Sequence, residues 1–323
     1  MMISLARYRF TFAMNEPVRL TEYAGSTLRG AFGHAFRHLS CMTRTKECTC
    51  CPLLNQCPFP QVFAPHELPK PEGLFARSIQ QIPVPYVVEA IYTGKQILRQ
   101  GESLAFNMVL AGNALEHLPL ITLAWQRALA KGVTSTRSTA ELKKLELLDE
   151  AGQAKLLYGE GVENLLEHQA FVKIPAYNTP QDLHLNFLTP LRIEIKKKAL
   201  GPKEISATTF WKQLIRRISL FTQFHCAGDG GFAIDPDRAK TLHQMSDLVK
   251  DEKHLRWKEW VRYSGRQDQA MHLGGVTGHW LMRDVPPVLL RYAYLGQWLH
   301  AGKEAAFGLG HYQWLEEEWV KNA

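Results

Sequence analysis

Residues 7–12, Arg-Tyr-Arg-Phe-Thr-Phe, alternate polar and apolar, with Tyr8, Phe10 and Phe12 on one side. A two-residue period of this kind predicts a half-buried strand. The period then lengthens. Leu28, Phe32, Ala35, Phe36 and Leu39 recur at three- and four-residue steps, which predicts a helix with one apolar face. Ser26 is placed to cap its start. His34 and His38 stand one turn apart on that helix, off the apolar face. A Pro-rich stretch runs to Pro85, and beyond it Tyr86–Tyr92 and Leu104–Leu110 read as strands. Leu118, Ile121, Trp125 and Leu129 predict a second helix, closed by Gly132. Lys144–Leu148 and Ala154–Tyr158 read as further strands.

Strand, helix, strand, strand, helix, strand is the order of a ferredoxin-like split βαβ. Residues 160–182 read as a linker, with Pro175 and Asn178-Thr179-Pro180 as breakers. The same order then recurs without residue identity. Leu183, Leu185 and Phe187 alternate as a strand, and 207–226 is helical, with Phe210, Leu214, Ile218 and Phe221 on one face. Trp257–Tyr263 and Met271–Met282 read as strands, Val288–His300 as a helix after Pro286-Pro287, and Phe307–Leu315 as a closing strand. The expected architecture is α+β, with two tandem ferredoxin-like (RRM-like) domains. The first spans residues 1–170 and carries a small cysteine-rich insertion at 41–58. The second spans 180–323 and carries a glycine-rich loop.

Composition narrows the class. A chain of 323 residues suits two domains at ~150 residues each. Hydrophobic residues at 46% and charged residues at 21% exclude a disordered chain. No run approaches the ~18 apolar residues of a membrane span. Arg7 and Arg9 stand where a signal peptide needs an apolar core, so a cytoplasmic location and no membrane partner are expected. Lys and Arg outnumber Asp and Glu by 38 to 31, a net charge of +7. That excess is compatible with nucleic acid but does not establish it.

Five of the six cysteines lie between Cys41 and Cys57; Cys226 stands apart. Cys41, Cys48, Cys51 and Cys57 give C-x6-C-x2-C-x5-C, and the Cys48/Cys51 pair has the spacing of two thiolates gripping one zinc. Cys50 is a spare. The zinc reading is of a structural ion, because four thiolates leave no open position and a small insertion lacks its own core. An iron–sulfur cluster and a set of free thiols remain the alternatives.

Near the C-terminus the chain reads His300-Ala301-Gly302-Lys303-Glu304-Ala305-Ala306-Phe307-Gly308-Leu309-Gly310-His311-Tyr312. Glycines permit positive φ and close backbone approach to a ligand; they also mark ordinary turns. Two further segments matter. One is Leu28-Arg29-Gly30-Ala31-Phe32-Gly33-His34-Ala35-Phe36-Arg37, followed by Cys48, Cys51 and Cys57-Pro58. The other is Arg262-Tyr263-Ser264-Gly265-Arg266-Gln267, with Met271, Gly274-Gly275 and Gly278 after it. In these three segments the chain resembles the repeat-processing endoribonucleases of CRISPR systems, within the RAMP superfamily, in a branch with a cysteine-bearing insertion. The family loop begins Gly-hydrophobic-Gly, and here His300 takes the place of its first glycine.

The resemblance implies tandem ferredoxin-like domains and binding of the repeat in precursor CRISPR RNA. It implies one metal-independent cut per repeat, leaving a 5′-hydroxyl and a 2′,3′-cyclic phosphate, with no cofactor for catalysis. It also implies a CRISPR effector complex as a further partner. Such a cut uses the substrate's 2′-hydroxyl as nucleophile, histidine for the proton steps and a cation for the phosphorane. The family layout of tyrosine at the start of the first helix, histidine at its end and lysine after it maps onto Tyr23, His38 and Lys46. Arg44 competes with Lys46, and His34 competes with His38. Among 13 histidines, His66, His225, His300 and His311 are the remaining candidates.

Candidate RNA contacts are Gly302, Lys303, Gly308 and Gly310 in the loop, with Lys196, Lys197, Lys198, Arg216 and Arg217 upstream. The upstream group belongs to a basic run with Arg192, Lys203 and Lys212, set against only Glu194 and Glu204. It reads either as a phosphate-binding groove or as a solvated edge strand. Arg256, Arg262 and Arg266, interleaved with Trp257, Trp260 and Tyr263, suit phosphate contacts and base stacking, though tryptophans also fill cores. Two rivals stand beside the nuclease. One is a catalytically inactive RAMP subunit that holds CRISPR RNA. The other is an unrelated zinc-bearing nucleic-acid module.

Overall fold

The structure is a computed structural model that describes residues 1–69, 82–90, 96–226, 231–232, 234–264 and 269–315. The chain divides into two compact units. One comprises Met2–Lys173 with Phe221–Gly230, and the other Met1, Ile174–Leu220 and Gly231–Ala323. Each is ferredoxin-like. Among the described residues no helix is long and apolar enough to cross a membrane.

In the first unit the alternating segment forms β1 (Leu5–Met14) and the 3.6-residue pattern forms α1 (Gly25–Ser40). They are followed by β2 (Tyr86–Ala90), β3 (Ser103–Ala111), α2 (Leu118–Lys131), β4 (Ala140–Leu148) and β5 (Ala154–Gly159). The sheet order is β2-β3-β1-β4-β5, all antiparallel. Tyr8, Phe10 and Phe12 face the core with Phe106, Trp125, Phe32 and Phe36. The Phe32 and Trp125 rings lie 4.9 Å apart, and Phe106 and Trp125 4.5 Å. Truncating a ring at such a site costs about 3–5 kcal/mol. Ser26 does not cap α1. The helix begins at Gly25 with Ala24 as its cap residue, and Ser26 is buried inside the first turn.

The cysteine-rich segment is anchored by a short helix, Pro58–Val62, whose Phe59 packs on Phe36, while the next residue, Phe63, packs on Phe32. A Cβ at Gly33 would stand 2.2 Å from the Phe63 ring, so only glycine lets that segment seat against α1.

The second unit repeats the plan with β6 (Gln181–Leu191), α3 (Ala207–His225), α4 (Pro236–Asp247), β7 (Lys250–Lys258), β8 (Gly275–Val285), α5 (Pro287–Leu299) and β9 (Tyr312–Leu315). The order is β7-β8-β6-β9. Phe187, Phe210, Trp280 and Tyr312 meet at ring separations of 5.4–6.3 Å. Three boundaries differ from expectation. The strand expected at Trp257–Tyr263 is the end of an edge strand at Lys258 and a separate hairpin, Val261–Ser264 with Gln269–His272. The closing strand is only Tyr312–Leu315, because Ala305–Phe307 forms a 3-10 turn. Helix α4 was not expected; Asp235 caps it by accepting from the Arg238 backbone N–H at 2.8 Å.

Candidate functional site

The last two turns of α1 carry His34, Arg37 and His38. Because Phe32 and Phe36 take the buried face, His34 and His38 emerge into solvent. Beyond the cap residue Cys41 the chain folds back, with Arg44 at a left-handed φ of 55°. Arg37 fixes this return. Its Nη2 donates to the carbonyls of Thr45 at 2.8 Å and Lys46 at 2.6 Å, and its guanidinium lies 5.5 Å over the Phe59 ring. The result is one open pocket lined by His34, Arg37, His38, Cys41, Arg44, Thr45 and Lys46. Among the described residues no acidic side chain lines it. Two imidazoles and two exposed cations thus share one concavity, the set that proton transfer at a phosphodiester requires. The sequence assigns Arg37 no role; its acceptors, the Thr45 and Lys46 carbonyls, lie beyond the helix and are brought to it only by the fold.

Tyr23 is not part of this pocket. It lies before the other end of α1, and a 16-residue helix spans about 24 Å. The residue is buried, and burial, with Glu22 adding, pushes its phenol up to about 12. The alternative histidines also separate. His225 is held in the first unit against the Pro83 carbonyl at 2.5 Å, and burial pushes it down to about 4. His300 is fully buried and stacked on His311, with ring centroids 4.5 Å apart. His66 is exposed, 4.0 Å from Glu67.

A second, smaller cavity adjoins the first. Cys41, Cys48, Cys51 and Cys57 line it with Met42, Thr43 and Phe59, whereas exposed Cys50 does not. Cys41 and Thr45 line both cavities. The Thr43 hydroxyl lies 3.3 Å from Cys51 Sγ and holds that thiol below its ordinary value. Burial, with Glu67 adding, pushes Cys48 up to about 11, and Cys57 is also raised by burial. Four thiols converging on one cavity fit a tetrathiolate site. The sulfurs are not closed around it: among the described residues no three come within 4.8 Å of one another.

The basic run divides. Lys196 and Lys197 form the exposed left-handed turn, φ 49° and 67°, of a hairpin joining Glu194–Ile195 to Lys198–Ala199. Lys198 pairs with Glu204 at 2.5 Å. Arg216 and Lys212 are exposed one turn apart on α3. Arg217 is not a surface contact. Its Nε donates to the carbonyls of Leu299 at 2.8 Å and His300 at 3.1 Å, and burial pushes it down to about 10. Arg192 likewise binds Glu194 and the Gly274 carbonyl. Trp260 is buried, while Trp257 is 38% exposed. The backbone of Arg262 lies in the Val261–Ser264 strand, and Arg266 lies outside the described residues.

The glycine-rich loop closes on the protein itself. Gly302, Gly308 and Gly310 have φ of 78°, 99° and 67°. A Cβ at Gly310 would stand 1.8 Å from the Ala301 carbonyl oxygen, and one at Gly302 2.4 Å from that of Arg192. The Lys303 N–H donates to the Arg192 carbonyl, and the Gly310 N–H to that of Pro190. Gly308 and Gly310 are buried, and at Gly310 the absence of a side chain lets the loop close. Lys303 is exposed, with its Nζ 3.9 Å from a Glu194 carboxylate oxygen. His300, in the family's glycine position, has φ 59° and ψ 169°, a region almost reserved for glycine.

A family model described as CRISPR-associated endoribonuclease Cas6 matches residues 185–312, and a model described as an N-terminal domain matches 3–170. No curated protein matches the chain. Among solved structures, a Cas6 product complex is similar at 13% identity and TM-score 0.60, over 97% of this chain and 99% of that one. Thermus thermophilus Cas6 is similar at 14% identity and TM-score 0.52, over 98% and 99%. A partial Cas6-RT-Cas1–Cas2 complex is similar at 13% identity and TM-score 0.52, over 96% of this chain and 46% of that one. At these identities the likeness is one of fold.

Proposed function

This chain belongs to the Cas6 family of CRISPR-associated endoribonucleases, and from that premise we propose that it cuts precursor CRISPR RNA once within each repeat. The substrate's 2′-hydroxyl attacks the adjacent phosphorus, the bond to the 5′-oxygen breaks, and the products are a 2′,3′-cyclic phosphate and a 5′-hydroxyl. His38 transfers a proton in this step, with His34, one turn away, as its partner or substitute. Lys46 and Arg44 offset the charge that builds on the phosphorane. No step requires a metal. The enzyme works in the cytoplasm, alone or passing its product to an effector complex. The observation that carries the reading is the pocket in which His34, His38, Arg44 and Lys46 meet, with no acidic side chain among the described residues that line it.

The cysteine cavity is assigned to a structural zinc held by Cys41, Cys48, Cys51 and Cys57. When bound, it would tie down a segment too small for its own core; with four thiolates it has no open position for chemistry. Elemental analysis should give about one zinc per chain, lowered together with stability by Cys48→Ser. A metal-free protein of equal stability would remove the zinc.

The experiment for the reaction is cleavage of cognate repeat RNA in excess EDTA. A single cut is expected, and none in a substrate with 2′-deoxy before the cut site. Cutting of the deoxy substrate would refute the 2′-hydroxyl mechanism. Tight binding without cleavage of any cognate RNA would make the chain an inactive RNA-holding subunit.

A further inference from the structure

The second unit's sheet has one apolar face and one face lined with imidazoles. In β6, Leu183, Leu185 and Phe187 are buried, and Phe187 packs on Phe210 of α3. The intervening His184 and Asn186 therefore take the opposite face. On β8, His279 pairs with Asn186 on one side and with His254 of β7 on the other. Three adjacent strands thus set His184, His279 and His254 on one surface. His184 Nε2 and His279 Nδ1 are 3.2 Å apart, with ring centroids at 5.2 Å and planes at 52°. His184 and His279 are half-buried, and His254 is exposed.

The spacing has a chemical reading. Two nitrogens bound to one tetrahedral zinc at about 2.05 Å stand about 3.3 Å apart. Imidazole suits zinc, nickel and copper, and it must be neutral to coordinate. We propose that His184 and His279 chelate a divalent transition metal on the face of the second unit's sheet opposite its apolar side; His254, whose ring nitrogens do not lie within 4.8 Å of both others, turns in as the third ligand. This site shares no residue with the cysteine cavity. A fourth position stays open to water or an anion.

The test is a Co²⁺ titration of the full chain after its thiols are saturated with metal. One further equivalent should bind without the intense thiolate charge-transfer absorption. His279→Gln and His184→Gln should each weaken it at least 10-fold, and His254→Ala, at an exposed position, by about 10-fold. Cys48→Ser should leave it unchanged. Thermal unfolding of each variant separates lost ligands from lost fold. If no further equivalent binds, or if properly folded His279→Gln and His254→Ala proteins bind it like the parent, the pair is an N–H···N hydrogen bond and the site is refuted.

Discussion

Arg37 holds Lys46 by its backbone: the guanidinium reaches the Lys46 carbonyl at 2.6 Å, and so places a lysine nine residues away beside the end of its own helix. A charged donor on two neighbouring carbonyls is a strong restraint on a short return loop. Arg37→Ala should release that loop and lower single-turnover cleavage about 10-fold. Lys46→Ala should do the same and flatten the salt dependence of RNA binding by about one phosphate contact. The double variant should lose less than the product of the two, because each acts through the other. Strictly multiplicative losses would separate the two residues.

His38→Ala should slow single-turnover cleavage by ~10²–10⁴-fold with little change in RNA affinity. If His34 is the principal acid or base instead, the larger loss appears in His34→Ala. Tyr23→Phe is the control that the geometry supplies. Its phenol is buried at the far end of α1, so cleavage should proceed at the parent rate. A large rate loss in a folded Tyr23→Phe protein would place the chemistry elsewhere.

Gly310→Ala should destabilise the protein by about 2 kcal/mol or more, since the new Cβ meets the Ala301 carbonyl at 1.8 Å at a positive φ. Chemical denaturation measures this. RNA binding should fall only as the folded fraction falls. Full stability with lost affinity would restore a direct RNA role for that glycine.

Acid should weaken the first unit through His225. Its folded value, about 4, lies below the ordinary 6.5, so the folded state favours the neutral ring. That contribution is complete above about 6.5. It declines as pH falls towards 4, because the unfolded chain takes up the proton first. His225→Gln keeps a donor for the Pro83 carbonyl and removes the titration. Its stability, followed by urea unfolding from pH 7 to 4, should fall less steeply than the parent's.

The two ferredoxin-like units were legible because the apolar period switches cleanly between two and 3.6, from Tyr8–Phe12 to Leu28–Leu39. Helix α4 was not, since its 12 residues bury only Leu242 and Ser246, leaving almost no apolar stripe. Pairing the histidines of α1 with Arg44 and Lys46 was also within reach, because all lie within 13 residues. The roles of Arg217 and Gly310 were not. Sequence counts an arginine as a surface charge and a glycine as free space; only the fold reveals the carbonyls that both of them meet. Tyr23 lies outside the pocket that holds His34 and His38. The helix read from the apolar period already sets about 24 Å between its two ends.

Residues 41–46 wall two cavities at once, since Cys41 and Thr45 belong to both. A loop touched on one side can lengthen into solvent at little cost. This one is gripped at Cys41, at Thr43 by Cys51, and at Thr45 and Lys46 by Arg37. Side chains within it can be exchanged one at a time, but an inserted residue would shift a thiol and a cation together. The segment works as a ruler, and it is its length that natural variants should keep.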